Sequence, residues 1–175
     1  MSSRVKQSTG IRVNVSQQSV TYTVNSFVRV ALRVVHARGL APDYMITHRE
    51  NIDRGVGVWV AEQTLQQLIL EVFVRGGDYA LERYEFDFEF TASASEEARE
   101  PPVSEIEAFC QQLDGLPKGA TYRVVVKTAS DATDVPGWTS TTLRPLVEVG
   151  SKTFEVWGLG AVATSLTFRD GFREG

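Results

Sequence analysis

The chain has 175 residues, enough for one domain with a sizeable core, and its 42% hydrophobic content argues against disorder. No apolar run approaches the roughly 18 residues of a membrane span, so no membrane partner is expected. The net charge of −4 hides an asymmetry: residues 1–42 carry six basic residues and no acid, whereas the rest carries 12 basic and 22 acidic residues. A basic first quarter raises nucleic acid as a partner, but the charges are spread over an arm and one helix without interleaved stacking aromatics, which disfavours it.

In chain order, residues 1–18 are polar, and Ile11, Val13 and Val15 alternate weakly as in a marginal edge strand. The segment reads as an N-terminal arm of low local stability. No hydrophobic segment follows Met1-Ser2-Ser3, so no secretory signal is expected, and the single Cys110 suits a reducing cytoplasm. From Ser19, taken as an N-cap, the period becomes helical. Val20, Val24, Phe27, Ala31 and Val35, widened by Val28 and Leu32, form a stripe that Gly39 ends. Thr47 and Glu50 have the spacing of a capping box for a second helix carrying Ile52, Val56, Trp59 and Val60. Within it Gly55 and Gly57 serve close packing or make the helix soft.

Leu68–Arg75 reads as a strand, Gly76-Gly77-Asp78 as a turn and Leu81–Phe90 as the return strand. Tyr84, Phe86, Phe88 and Phe90 share one face, expected to be core; Glu85, Asp87 and Glu89 share the other, expected to face solvent. No His or fourth ligand joins the acidic row, which disfavours a metal. Residues 92–102 read as an acidic loop. Ser104 and Glu107 suggest a second capping box, before a third helix with the stripe Ile106, Phe109, Cys110 and Leu113. Cys110 is then a buried apolar residue, not a nucleophile. A third strand, Tyr122–Thr128, has Arg123, Val125 and Lys127 on one face; if Arg123 and Lys127 lie opposite the acidic row, they form cross-strand pairs.

The last 47 residues, Ala129–Gly175, contain no convincing helix and are too apolar for a tail. Short β-like runs recur at Leu146–Val149, Phe154–Trp157 and Ser165–Phe168, so the segment must find an edge on the sheet built before it. The chemical inventory favours binding over catalysis. His36 and His48 lie at or beside helix ends, and there is no nucleophile elbow, HExxH helix, Walker loop or Cys pair. No catalytic residue, metal or cofactor is assigned.

A long first helix, a second helix, an aromatic hairpin, a third helix, a strand and a long β-forming C-terminal segment together resemble a HORMA domain. Five blocks carry the resemblance in detail: Val20–Val24, Arg83–Asp87, Tyr122–Val126, Asp134-Val135-Pro136-Gly137-Trp138 and Ser140-Thr141-Thr142-Leu143-Arg144. With Gly158–Ala161 they are similar to the bacterial HORMA proteins of CBASS anti-phage operons, and the likeness runs over nearly the whole chain after residue 18. The resemblance implies an α+β fold with three helices packed on an antiparallel sheet, divided into an arm at 1–18, a core at 19–128 and a C-terminal safety belt at 129–175. It implies an adaptor that is not an enzyme, in which the belt wraps over a closure-motif peptide added to the sheet as a strand. The closed form would bind and activate a cGAS/DncV-like nucleotidyltransferase, and an AAA+ remodelling ATPase would grip the arm, at Arg4, Lys6 and Arg12, to reopen it. A second HORMA protein or self-association is admitted among the partners.

On that reading Trp138, Leu143, Arg144, Trp157 and Leu159 are candidate belt contacts, and Tyr122, Val124 and Val126 belong to the strand that receives the peptide. Ordinary core packing is the alternative for Trp138, Leu143 and Trp157. Arg144 pairs with an acid on the sheet or partner, or is a plain surface charge. The alternative for the whole chain is a non-catalytic α/β scaffold subunit whose C-terminal segment is permanently docked and takes no peptide.

Overall fold

The computed structural model describes residues 13–173, and of 93–96 the backbone only. Its order is α1 (Gln17–Ala37), α2 (Asp43–Thr47), α3 (Arg49–Ala61), β1 (Leu65–Val74), β2 (Ala80–Arg99), α4 (Val103–Gln112), β3 (Ala120–Thr128), β4 (Glu148–Thr153) and β5 (Trp157–Gly171). The strands form one antiparallel sheet in the order β3-β1-β2-β5-β4. The architecture is the expected α+β one, with helices gathered on one face of an antiparallel sheet. Among the described residues the helices number four, because the five-residue α2 precedes α3.

Period-two alternation decides which side chains meet the helices. Leu68, Leu70 and Val72 of β1 share the helix face with Tyr84, Phe86 and Phe88 of β2, Val124 and Val126 of β3, and Leu166 and Phe168 of β5. α1 lies over this layer, with Phe27 edge-on to Phe86 at 4.8 Å. Each such side chain fully withdrawn from water contributes about 1.5–3 kcal/mol. Val30 and Val34, outside the expected stripe, are also fully buried, because α3 and α4 both contact α1.

Several local expectations are corrected. The N-cap of α1 is Ser16, whose Oγ accepts from Ser19 N–H at 3.1 Å; Ser19 is buried instead. The helix ends where expected: Gly39 N–H bonds to His36 O and Leu40 N–H to Val35 O. Thr47 caps nothing; it is the last residue of α2, and His48 is the one-residue junction to α3. α4 begins at Val103 after Pro102, ahead of Ser104, with Val103 N–H bonded to Pro101 O. Residues 92–99 are strand, not loop, although β2 slips register against β5 after Phe90.

The charges also sort differently. β1 lies between β2 and β3, so Arg123 and Lys127 cannot oppose the acidic row of β2. Arg123 pairs with Glu71 of β1, and Glu85 is buried under Arg169 of β5, 2.8 Å away. Asp87 is half-buried and accepts from Gln67 Nε2 at 2.7 Å; Glu89 alone of the three is exposed.

Candidate functional site

The chain beyond Thr128 takes a course that makes a site of an otherwise ordinary strand. β3 is the terminal strand of the sheet on its side, paired only with β1 among the described residues. After it, Ala129 N–H donates to Thr64 O at 2.8 Å and the chain turns back along α3. Trp59 Nε1 donates to Thr133 O at 2.8 Å, and the Glu62 carboxylate accepts from Thr133 N and Oγ1 at 2.8 and 2.7 Å. Val135-Pro136-Gly137-Trp138 then reverses direction: Pro136 suits the first central position of the turn, and Gly137 takes φ +94° at the second. Trp138 N–H closes it on Val135 O.

Trp138 emerges against α3. Its Nε1 donates to Asn51 O at 3.0 Å, and its ring meets Trp59 edge-on at 5.1 Å. A Cβ on Gly55 would lie 2.5 Å from Trp138 Nε1, so Gly55 provides close approach for this ring, whereas Gly57 faces open space.

From Thr139 the chain passes round the β3 edge to the sheet face opposite the helices. Thr141 Oγ1 accepts from Arg123 Nη1 at 2.7 Å, and Thr142 O accepts from Arg123 Nη2. The crossing ends on Glu71. Its carboxylate has no exposed surface and accepts from Arg144 backbone N–H at 2.7 Å, Arg144 Nη1 at 2.8 Å and Arg123 Nε at 2.8 Å. The Arg144 guanidinium lies 3.5 Å from the centre of the Phe73 ring and donates to Gly77 O, and Ala80 N–H bonds to Pro145 O. The chain then enters β4, the edge strand beyond β5.

Between the β3 edge, α2, α3 and this crossing lies a cavity of about 270 Å³ lined by Tyr44, His48, Asn51, Ile52, Arg123–Val126 and Gly137–Thr141. Tyr44 meets His48 at 4.3 Å with the rings tilted by 47° and Tyr122 edge-on at 5.3 Å, and its hydroxyl accepts from Val124 N–H at 3.1 Å. Burial pushes both tyrosine phenols above their ordinary range. Backbone hydrogen-bonding groups on a strand edge, walls that mix Tyr44, Ile52 and Trp138 with His48, Asn51 and Arg123, and a covering segment offer an extended chain a place to lie.

Of the residues singled out from the sequence, Trp138, Val124 and Val126 meet at this cavity. Tyr122 is buried just behind it, its hydroxyl donating to Ala41 O at 2.7 Å. Leu143 is half-buried and Arg144 anchors the end of the crossing. Trp157 and Leu159 lie on β5, separated from β3 by two strands. Trp157 is a fully buried core ring edge-on to Phe86, and Leu159 borders α1 at Gln17–Tyr22. Arg4, Lys6 and Arg12 lie outside the described residues.

Tyr44, His48, Asn51 and Glu71 were missed by sequence reasoning. Only Glu71 left a signal: a carboxylate inside the apolar run Leu68–Val74 needs a buried partner.

The family described as Bacterial HORMA domain 2 matches residues 8–166. No curated protein matches the chain. Among solved structures, a chain of the mitotic checkpoint complex is similar at 15% identity and TM-score 0.72, with 89% of this chain and 99% of that one covered. C. elegans HTP-2 bound to a HIM-3 closure motif is similar at 16% identity and TM-score 0.71, with 91% and 93% covered. A chain of the E. coli MS115-1 HORMA:CdnC:Trip13 complex is similar at 11% identity and TM-score 0.61, with both chains fully covered. At these identities the likeness establishes the fold.

Proposed function

This chain belongs to the bacterial HORMA domain family, and from that premise we propose that it is a peptide-gated signalling adaptor. It captures a short closure-motif peptide along the free edge of β3, beneath the Trp138–Arg144 crossing. In the closed state it binds and activates a cGAS/DncV-like nucleotidyltransferase of a CBASS anti-phage system in the cytoplasm. The observation that carries the reading is the crossing itself: the chain is pinned before and after the β3 edge, by Trp138 on Asn51 and by Arg144 on Glu71, and leaves a lined cavity between.

Strand addition gives affinity through main-chain hydrogen bonds and selectivity through alternate side-chain pockets. A segment closed over the peptide slows dissociation, since the pins must break first. The similarity to HTP-2 bound to a closure motif supports the peptide, and the similarity to a complex containing CdnC and Trip13 supports the nucleotidyltransferase and ATPase partners. An AAA+ ATPase gripping the arm at 1–18 through Arg4, Lys6 and Arg12 would reopen the domain, with 19–128 as core and 129–175 as belt. We assign the molecule no catalytic role.

A second reading, a scaffold with a permanently docked C-terminal segment, draws on the long register of β5 with β2 and the burial of Trp157 and Leu166. One experiment separates them. The purified full chain is panned against a random-peptide display library, and the strongest clone is tested for hydrogen-exchange protection of residues 133–147 and for stimulation of a co-encoded nucleotidyltransferase. Protection with stimulation is expected. Identical exchange with and without peptide, together with unchanged nucleotidyltransferase activity, leaves only the scaffold.

A further inference from the structure

The proposed slot is closed at one end, and a side chain closes it. An antiparallel strand turns its backbone groups alternately toward each neighbour. Val124 N–H points away from β1 and donates to the Tyr44 hydroxyl at 3.1 Å, so Val126 N–H is the next group directed off the same edge. At the other end Ala129 N–H is already turned back to Thr64 O. The two occupied amides lie roughly 16 Å apart along the strand at about 3.3 Å per residue, with Val126 between them.

Tyr44 is held from two sides. Its ring contacts His48 at 4.3 Å and Tyr122 at 5.3 Å, and the Tyr122 hydroxyl is tied to Ala41 O. A peptide strand running on toward Tyr122 would have to displace a ring packed against two others. Resting on the peptide-capture reading, we propose that Tyr44 sets the register of the captured peptide. Its hydroxyl fills the hydrogen-bonding position at Val124 and its ring ends the strand there, so the peptide pairs on the Val126 side of Tyr44. Empty, the same contact blunts an edge that would otherwise template unwanted pairing.

The test uses the full chain and the strongest clone from a random-peptide display library, remade one residue shorter or longer at each end. In the wild type, the peptide slows exchange of the Val126 amide by roughly tenfold or more, while the Val124 amide, bonded beforehand, changes less than about twofold. Tyr44→Phe speeds exchange of the Val124 amide in the free protein and keeps the length at which affinity levels off. In Tyr44→Ala, the extension toward Tyr122 gains one more main-chain hydrogen bond, about two- to tenfold in affinity, and the wild type gains nothing from it.

Equal slowing of the Val124 and Val126 amides in the wild type overturns the register stop. So does an equal gain from the extension in wild type and Tyr44→Ala. If no clone binds either protein, the capture reading fails and the stop fails with it. Should Tyr44→Ala not fold, the two wild-type amides decide the matter alone.

Discussion

Glu71→Gln is the most direct test of how the crossing is held. The carboxylate has no exposed surface, and three donors converge on it: Arg123 Nε, Arg144 Nη1 and Arg144 backbone N–H, all within 2.8 Å. Glutamine is nearly isosteric, but it carries no charge and presents an amide N–H₂ where one oxygen had accepted. One of the three donors then faces another donor, and two guanidinium groups lose their counter-charge. Removing one partner from a buried ion pair costs about 3–5 kcal/mol. Here the side chains of Arg123 and Arg144 keep about a quarter of their surface in water, 23% and 25%, so solvent recovers part of the loss. Charge-assisted hydrogen bonds are individually worth about 1.5–3 kcal/mol. Two of the three donors belong to the crossing, so about 2 kcal/mol of its local stability should go, raising its open population about 30-fold.

The assay is residue-resolved hydrogen exchange on the unliganded protein, comparing 139–146 with Phe86 and Leu68 of the central strands. Faster exchange confined to the crossing is expected, with a smaller loss in global urea stability. A double-mutant cycle with Arg144→Gln should return a coupling of about 1–2 kcal/mol. Equal acceleration of the crossing and the central strands, or a cycle with no coupling, would show that Glu71 does not hold the crossing.

Three further outcomes follow from the same contacts. Trp138→Ala removes the ring from Trp59 and the bond to Asn51 O; the expected cost is about 2 kcal/mol, below the 3–5 of a fully buried Trp, with faster proteolysis near Thr133–Thr139 and weaker peptide capture. Asp87→Asn should raise the melting temperature at neutral pH. Burial raises the folded-state pKa of Asp87 above the unfolded value, so wild-type stability falls as pH climbs through that folded pKa. The gain from Asn should therefore vanish near pH 3–4, about where the unfolded carboxyl also protonates; a gain that persists there would refute the assignment. Cys110 is buried with its thiol pushed up to about 11, so it should resist alkylation at pH 8 in the folded protein and react only on unfolding.

The sheet was legible because its signal is local. Tyr84, Phe86, Phe88 and Phe90 alternate without interruption, and period two admits one core face. The stop at Gly39 was readable for the same reason, needing only neighbouring residues. Charge placement was not. The pairing of Arg123 with the acidic row of β2 depended on strand order, and hydrogen bonding places β1 between β2 and β3. The capping boxes at Thr47 and Ser104 failed because a proline upstream had already begun the helix or the turn before it.

The cavity was beyond reach for a further reason. Tyr44, Asn51, Val124 and Trp138 come from four separate segments, and none carries a pattern pointing to the others. What the sequence did contain was one anomaly, Glu71 in an apolar strand. A buried carboxylate requires donors, and the chain supplies them from both sides of the covered edge, Arg123 on β3 and Arg144 beyond the crossing. One charge thereby joins the strand that would receive a peptide to the segment that would cover it. Occupancy of the edge and closure of the segment are therefore expected to depend on each other. Peptide affinity should fall in Glu71→Gln even though Glu71 itself lines no part of the cavity; unchanged affinity alongside accelerated exchange of 139–146 would refute the linkage.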